Sequence, residues 1–270
     1  MISLMENPRF HGKPPYKAAV LHGGPGAFGS VAPVARGLSD LVGVMEPFQT
    51  AETLDGQIAQ VHEFIQEHCQ PPVSLIGHSW GAWLAAGVAA KHPDAVRQLV
   101  LIGCGPFESH YAQQIMPARL LRIPEDQRER CQSLMDALHS SDGQDKSRIV
   151  AELGPLMEST DVYDALPDEP VVDEESIPWS PNSFAGLMEE AMQLRRDGVF
   201  LEWVKAIQCP VTAIHGAYDP HPAAGVQEPL ARYVDDFTFV LLDKCGHDPW
   251  RERHAKDQFF ATLRNAVMSV

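Results

Sequence analysis

The chain has 270 residues, 44% of them apolar, which suits one large α/β domain or a core domain carrying an inserted lid. Its formal net charge of −15 disfavours nucleic acid and anionic membrane surfaces as partners, and no run reaches the roughly 18 apolar residues of a membrane span. Five scattered cysteines without a C-x-x-C pair read as free thiols, and Met1–Tyr16 lacks a basic start followed by an apolar segment, so a cytoplasmic protein is predicted.

Tyr16–Leu21 reads as a strand that runs into His22-Gly23-Gly24-Pro25-Gly26. Ser30 is placed to cap a helix whose apolar positions Val31, Val34, Leu38 and Leu41 recur at helical spacing. Leu41–Met45 reads as a second short strand, and Leu54, Ile58, Val61 and Ile65 mark an amphipathic helix capped by Thr53. Val73–Ile76 is a third strand. It turns at Gly77-His78-Ser79-Trp80-Gly81 into a helix of small residues, Ala82 to Ala90, that ends near His92-Pro93. Val96–Ile102 is the next strand. Strand and helix alternate to this point, which predicts right-handed crossovers and a parallel sheet.

After Gly105-Pro106 the rhythm breaks. Residues 107–200 carry a mainly helical pattern, with Gln127–Leu138 and Ser183–Leu194 as helices and Leu166-Pro167, Glu169-Pro170, Ile177-Pro178 and Ser180-Pro181 as loop. A helical cap at 107–200, inserted in a core of 1–106 and 201–270, is expected. Within it, Glu158–Glu175 holds eight carboxylates and no Lys or Arg. That run reads as a solvated face or as an acidic rim for a cationic substrate. Strands resume at Val211–Ile214, leading into His215-Gly216-Ala217-Tyr218-Asp219, and at Phe237–Leu242, leading into Asp243-Lys244-Cys245-Gly246-His247. A helix over about 251–267 closes the sequence.

The chemistry centres on the turn at 77–81. A strand that turns sharply into a helix through G-x-S-x-G strains the serine backbone and lifts its hydroxyl above the sheet edge, and glycines fit where larger residues would collide. Ser79 is the candidate nucleophile. A serine hydroxyl needs an imidazole to take its proton and a carboxylate to orient that imidazole. Asp219 and His247 each follow a predicted strand, and the order Ser79, Asp219, His247 suits the three roles. Glu108 is the rival acid, whereas Asp243 and Asp248 lie too close to His247 in sequence. The backbone N–H groups of Gly24 and Trp80 are the expected oxyanion donors. His215, His221, His247 and His254 show no H-x-x-x-H pairing and no Cys partner, and no phosphate or dinucleotide loop is present, so neither a metal nor a cofactor is expected. Trp83 and Cys245 read as packing residues.

With these motifs the chain resembles the α/β-hydrolase superfamily, and more narrowly its prolyl iminopeptidase-like branch: HGGPG at 22–26, a Trp after the nucleophile in GHSWG, and Gly246-His247-Asp248-Pro249-Trp250. The resemblance covers 17–105 and 205–268 but not the cap. It implies a mostly parallel sheet flanked by helices and a cofactor-independent serine hydrolase acting on a small molecule or short peptide. The reaction is ester or amide cleavage, with iminopeptidase, carbon–carbon hydrolase, perhydrolase and acyltransferase chemistry as alternatives. A binding protein with little turnover is a further alternative. Two departures stand out. Glu46-Pro47-Phe48-Gln49 replaces an Asp-Gln-Arg-Gly signature, and the antiparallel hairpin that opens the fold is expected to be reduced.

Overall fold

The computed structural model describes residues 7–140, 144–167 and 181–269. Its sheet contains β1 (Arg9–His11), β2 (Tyr16–Leu21), β3 (Gly43–Glu46), β4 (Val73–His78), β5 (Val96–Ile102), β6 (Val211–Gly216) and β7 (Phe237–Leu242), in the order β1-β3-β2-β4-β5-β6-β7. Every neighbouring pair is parallel except β1–β3, which pairs Arg9 with Glu46 and His11 with Val44. Among the described residues, the antiparallel start of the sheet is this three-residue edge strand.

The helices are α1 (Ala32–Leu38), α2 (Leu54–His68), α3 (Trp80–Lys91), α4 (Ser109–Ala112), α5 (Ile115–Arg122), α6 (Glu125–Ser140), α7 (Gln144–Thr160), α8 (Pro181–Arg196), α9 (Val199–Ala206), α10 (Ala224–Tyr233) and α11 (Lys256–Met268). The strands are apolar on both faces, as a sheet covered on two sides requires. Ala19, Leu21, Leu75, Leu99 and Leu101 face α2 and α3, whereas Ala18, Val20, Ile76, Val100 and Ile102 face α1 and α11. Each fully buried Leu or Ile contributes about 1.5–3 kcal/mol relative to exposure. No helix among the described residues is long and apolar enough to cross a membrane.

Thr53 caps α2 as expected: its Oγ1 accepts the Gly56 N–H at 3.0 Å. Ser30 does not cap α1. It sits in the turn before the helix, where its N–H donates to Ala27 O and its hydroxyl is buried without a partner, and α1 starts two residues later. The second strand begins at Gly43 rather than Leu41 because Leu41 and Val42 still bond back to the Leu38 carbonyl at the helix exit. The last helix begins at Lys256. Pro249–Arg251 form a separate 3₁₀ turn, and the backbone of Arg251–Arg253 pairs instead with 164–166.

The predicted helices at 127–138 and 183–194 lie inside α6 and α8. Helices α6 and α7 pack on each other through Cys131, Leu134, Ile149 and Leu153, whereas Leu187 and Ala191 of α8 join the cluster beneath α3 together with Phe200 and Trp203 of α9. Residues 168–180, which carry Glu169-Pro170, Ile177-Pro178 and the end of the acidic run, lie outside the described residues.

Candidate active site

The three candidate catalytic residues stand at the C-terminal ends of parallel strands, the edge where such sheets bind ligands. Ser79 follows β4 with φ 52° and ψ −113°, a region that costs an L residue on the order of 1–3 kcal/mol. Packing enforces the turn. A methyl group on Gly77 would overlap the Gly81 carbonyl, and one on Gly81 would overlap the Leu21 and His22 carbonyls. The Ser79 N–H is tied to Ile102 O at 2.9 Å, so the elbow is anchored to the end of β5.

The loops after β6 and β7 are zipped together by Ala217 N–H to Leu242 O (2.9 Å) and Tyr218 N–H to Cys245 O (2.8 Å). This brings Asp219 Oδ2 to 2.8 Å from His247 Nδ1. The other carboxylate oxygen accepts two bonds from His221, one from its backbone N–H (2.9 Å) and one from its ring Nδ1 (2.7 Å). A carboxylate can only accept, so both imidazoles carry their proton on Nδ1 toward Asp219. Burial disfavours charge on Asp219, yet the surrounding His247, His221 and His215 rings hold its carboxyl well below the usual range. Burial likewise opposes charge on His247, but Asp219 overrides it and lifts the ring to about 9. His221 stays neutral: burial outweighs the same carboxylate and lowers it to about 4.

His247 is held on three sides. Its N–H donates to Asp161 O at 2.7 Å, and its carbonyl accepts from His78 Nε2 at 3.2 Å. Gly103, just beyond the Ile102 carbonyl that anchors Ser79, packs directly against its ring and carbonyl. No hydrogen bond joins Ser79 to His247 among the described residues, a usual condition before substrate tightens such contacts. Of the rival acids, Glu108 lies at the start of α4, close enough to Tyr111 and Arg232 for its charge to act on both. Asp248 binds His78 (3.1 Å) and Arg251 (3.3 Å), and Asp243 is exposed.

The HGGPG loop lies beside the serine. A methyl group on Gly23 would sit 3.3 Å from Ser79 Cβ, and Gly24 has φ +104°, which leaves no room for a side chain. His22 is buried and fixes this loop. Its Nδ1–H donates to Gly23 O (2.7 Å), while Nε2 accepts the Gln49 N–H (3.4 Å). Burial lowers its pKa to about 4. The Glu46-Pro47-Phe48-Gln49 departure therefore acts on the loop: Gln49 binds His22, and Phe48 packs against His22 and Phe28. Trp80 opens α3, where backbone N–H groups lack intrahelical acceptors.

A family model described as the alpha/beta hydrolase family matches residues 11–262. The chain belongs to the alpha/beta hydrolase family. Among solved structures it is similar to VinJ (TM-score 0.67, 19% identity, 97% of this chain and 94% of that one). It is also similar to a proline iminopeptidase from Mycobacterium smegmatis (0.62, 16%, 97% and 94%) and to a meta-cleavage product hydrolase from Pseudomonas fluorescens IP01 (0.64, 18%, 96% and 93%). At these identities the likeness concerns the fold. A comparison with curated proteins finds no match.

Several residues of this alpha/beta hydrolase act on the site without a signal in the sequence reading. Glu252 is buried (1% exposed), and its carboxylate accepts the N–H groups of Gly246, Tyr163 and Asp164, each at 2.8 Å. It clasps the 161–164 segment to the loop that carries His247. The described acids of the 158–175 run are paired: Glu158 with Arg251, Asp161 with Arg119, and Asp164 with Arg253 and His254. Trp83 is buried, donates to Gly105 O at 2.9 Å and packs on Phe200. Cys245 is fully buried, and burial pushes its thiol well up.

Proposed function

We propose that the chain is a cofactor-independent serine hydrolase that cleaves a small ester or amide through an acyl-enzyme on Ser79. The observation that carries this reading is the buried Asp219–His247 bond of 2.8 Å beside the strained Ser79 turn. In this mechanism Ser79 Oγ attacks the substrate carbonyl and its proton passes to His247 Nε2. Asp219 holds the ring in the tautomer with Nδ1 protonated and stabilises the imidazolium. The Gly24 and Trp80 N–H groups receive the developing oxyanion. His247 then protonates the leaving group, and water activated by the same ring releases the acyl group.

The pairing of Glu158, Asp161 and Asp164 with arginine and histidine favours an uncharged acyl substrate over recognition of a free amine by this part of the run. The test is a fluorophosphonate probe applied to the parent and to Ser79→Ala, together with p-nitrophenyl acetate turnover. Labelling and turnover that both require Ser79 are expected. A parent that neither labels nor turns over the ester defeats the reading, and preference for proline arylamides over short esters replaces it with the iminopeptidase.

A further inference from the structure

Asp219 serves two imidazoles, and the mechanism uses only one. The His221 and His247 ring centroids are 4.6 Å apart with the planes 31° from parallel, and each ring gives its Nδ1–H to a different oxygen of the same carboxylate. Both Nε2 atoms therefore carry the free lone pair when the rings are neutral, and neither has a hydrogen-bond partner among the described residues. Neither ring is fully enclosed, because the two side chains keep 15% and 11% of their surface. One potential ligand atom from each of Asp219, His221 and His247 lies within 4.8 Å of the others.

This is the arrangement that a transition-metal ion selects. Metal-binding histidines characteristically donate the second ring N–H to a carboxylate, which fixes the tautomer and makes the free nitrogen more basic. Here that outer support is already built for two rings at once, and Asp219 itself is buried in place. His221 is further fixed by its backbone N–H on Asp219 and by its carbonyl, which accepts from His215 Nε2 at 2.8 Å. Tetrahedral zinc holds nitrogens at about 2.0–2.1 Å, hence roughly 3.3 Å from each other, so the two rings must pivot toward one another to share an ion.

We propose that His221 and His247 form a binding site for a divalent transition-metal ion of the zinc type, which switches the catalytic serine off. Two waters of the hydrated cation are replaced by the two Nε2 lone pairs, and where His247 is an imidazolium its Nε2 proton is released to solvent. The lone pair that would take the Ser79 proton is then occupied. The inhibitory consequence rests on the serine-hydrolase reading, but the binding does not. A net charge of −15 favours cation approach.

The experiment titrates ZnCl₂ into the full chain by calorimetry, with the partly exposed Cys69 and Cys209 replaced by serine to remove competing thiols. Fluorophosphonate labelling of Ser79 is followed with zinc and again after EDTA. One equivalent of zinc should bind, labelling should slow, and EDTA should restore it. His221→Asn keeps a donor for Asp219 but has no second ring nitrogen, so zinc affinity should fall by at least about tenfold and labelling should become insensitive to zinc. His221→Phe gives the same comparison with the ligand removed differently, should one variant misfold. Unchanged zinc affinity in the folded variants, no binding by the parent, or bound zinc without slower labelling overturns the proposal. A parent that binds zinc through His221 but never labels Ser79 refutes the hydrolase reading while leaving the metal site standing.

Discussion

Asp219→Asn separates orientation from charge at the centre of the site. The rise of His247 from 6.5 to about 9 is equivalent to about 3 kcal/mol of preference for the imidazolium, at ~1.4 kcal/mol per pH unit. Burial acts in the opposite direction, so the carboxylate's own share exceeds that figure. In the proposed mechanism an imidazolium also forms as Ser79 gives up its proton, so losing about 3 kcal/mol should slow that step by roughly a hundredfold. A wrongly presented ring tautomer takes the loss toward ten-thousandfold. The pH dependence carries a second signature. In the proposed mechanism the neutral ring is the base, so kcat/KM of the parent should climb with pH, reach half its plateau near 9 and level off above it. With the carboxylate gone burial dominates, and the residual activity should already be level above about pH 6.5. The assay is p-nitrophenyl acetate hydrolysis from pH 5 to 10, with circular dichroism to establish folding. Activity within tenfold of the parent, or a rising limb still centred near 9, would refute the assignment and move the acid role elsewhere.

Gly77→Ala forces a methyl group onto the Gly81 carbonyl and should cost about 1–3 kcal/mol, seen as a thermal midpoint several degrees lower and as lost Ser79 labelling. Unaltered labelling would show that the elbow tolerates a wider turn. His22 has a folded pKa near 4 against 6.5 unfolded, so its stabilising contribution is complete above 6.5 and is lost as pH falls through 4. Urea unfolding of the parent should lose about 2–3 kcal/mol from this group by pH 4.5, and His22→Phe should remove that share of the decline. An equal decline in both proteins contradicts the burial argument. Glu252→Gln turns an amide N–H toward a backbone N–H and should cost about 1–3 kcal/mol in urea unfolding. Turnover should drop more than KM changes, because the His247 loop loses its clasp. Equal stability of the two proteins would exclude the clasp.

The candidate trio, which the structure brings to one sheet edge, is legible in the sequence because each member is placed by local rules. Gly77 and Gly81 are the residues that two crossing backbones allow, and Asp219 and His247 follow apolar runs whose ends a parallel sheet brings to one edge. His221 lies two residues after Asp219, yet its role depends on the ring turning back onto the same carboxylate, which spacing alone does not specify. Helix α7 has no counterpart among the predicted helices; packing of Ile149 and Leu153 against α6 carries it through Pro155, which an isolated helix would not tolerate. Ser30 misled because it is a good cap residue in a turn one position too early, Val31 occupying the N-cap position.

The acidic run is where local reading and folded chemistry part most sharply. From sequence neighbours alone the eight carboxylates read as a solvated face or as a cation-binding rim, and three of them, Glu158, Asp161 and Asp164, lie among the described residues. The cations that answer Glu158 and Asp164 are Arg251, Arg253 and His254, about ninety residues downstream, and Arg119 answers Asp161 from the preceding helix α5. The exposed pairs of Glu158 and Asp164 contribute about 0–1 kcal/mol each, so stability alone does not account for gathering them here. Their position does. The same segment presents the Asp161 carbonyl to the His247 N–H at 2.7 Å and the Tyr163 and Asp164 N–H groups to buried Glu252. The ion pairs therefore hold in register a backbone that orients His247. A change at Asp161 or Arg119 should be felt first in the proton transfer between Ser79 and His247 rather than in selectivity for a cationic substrate.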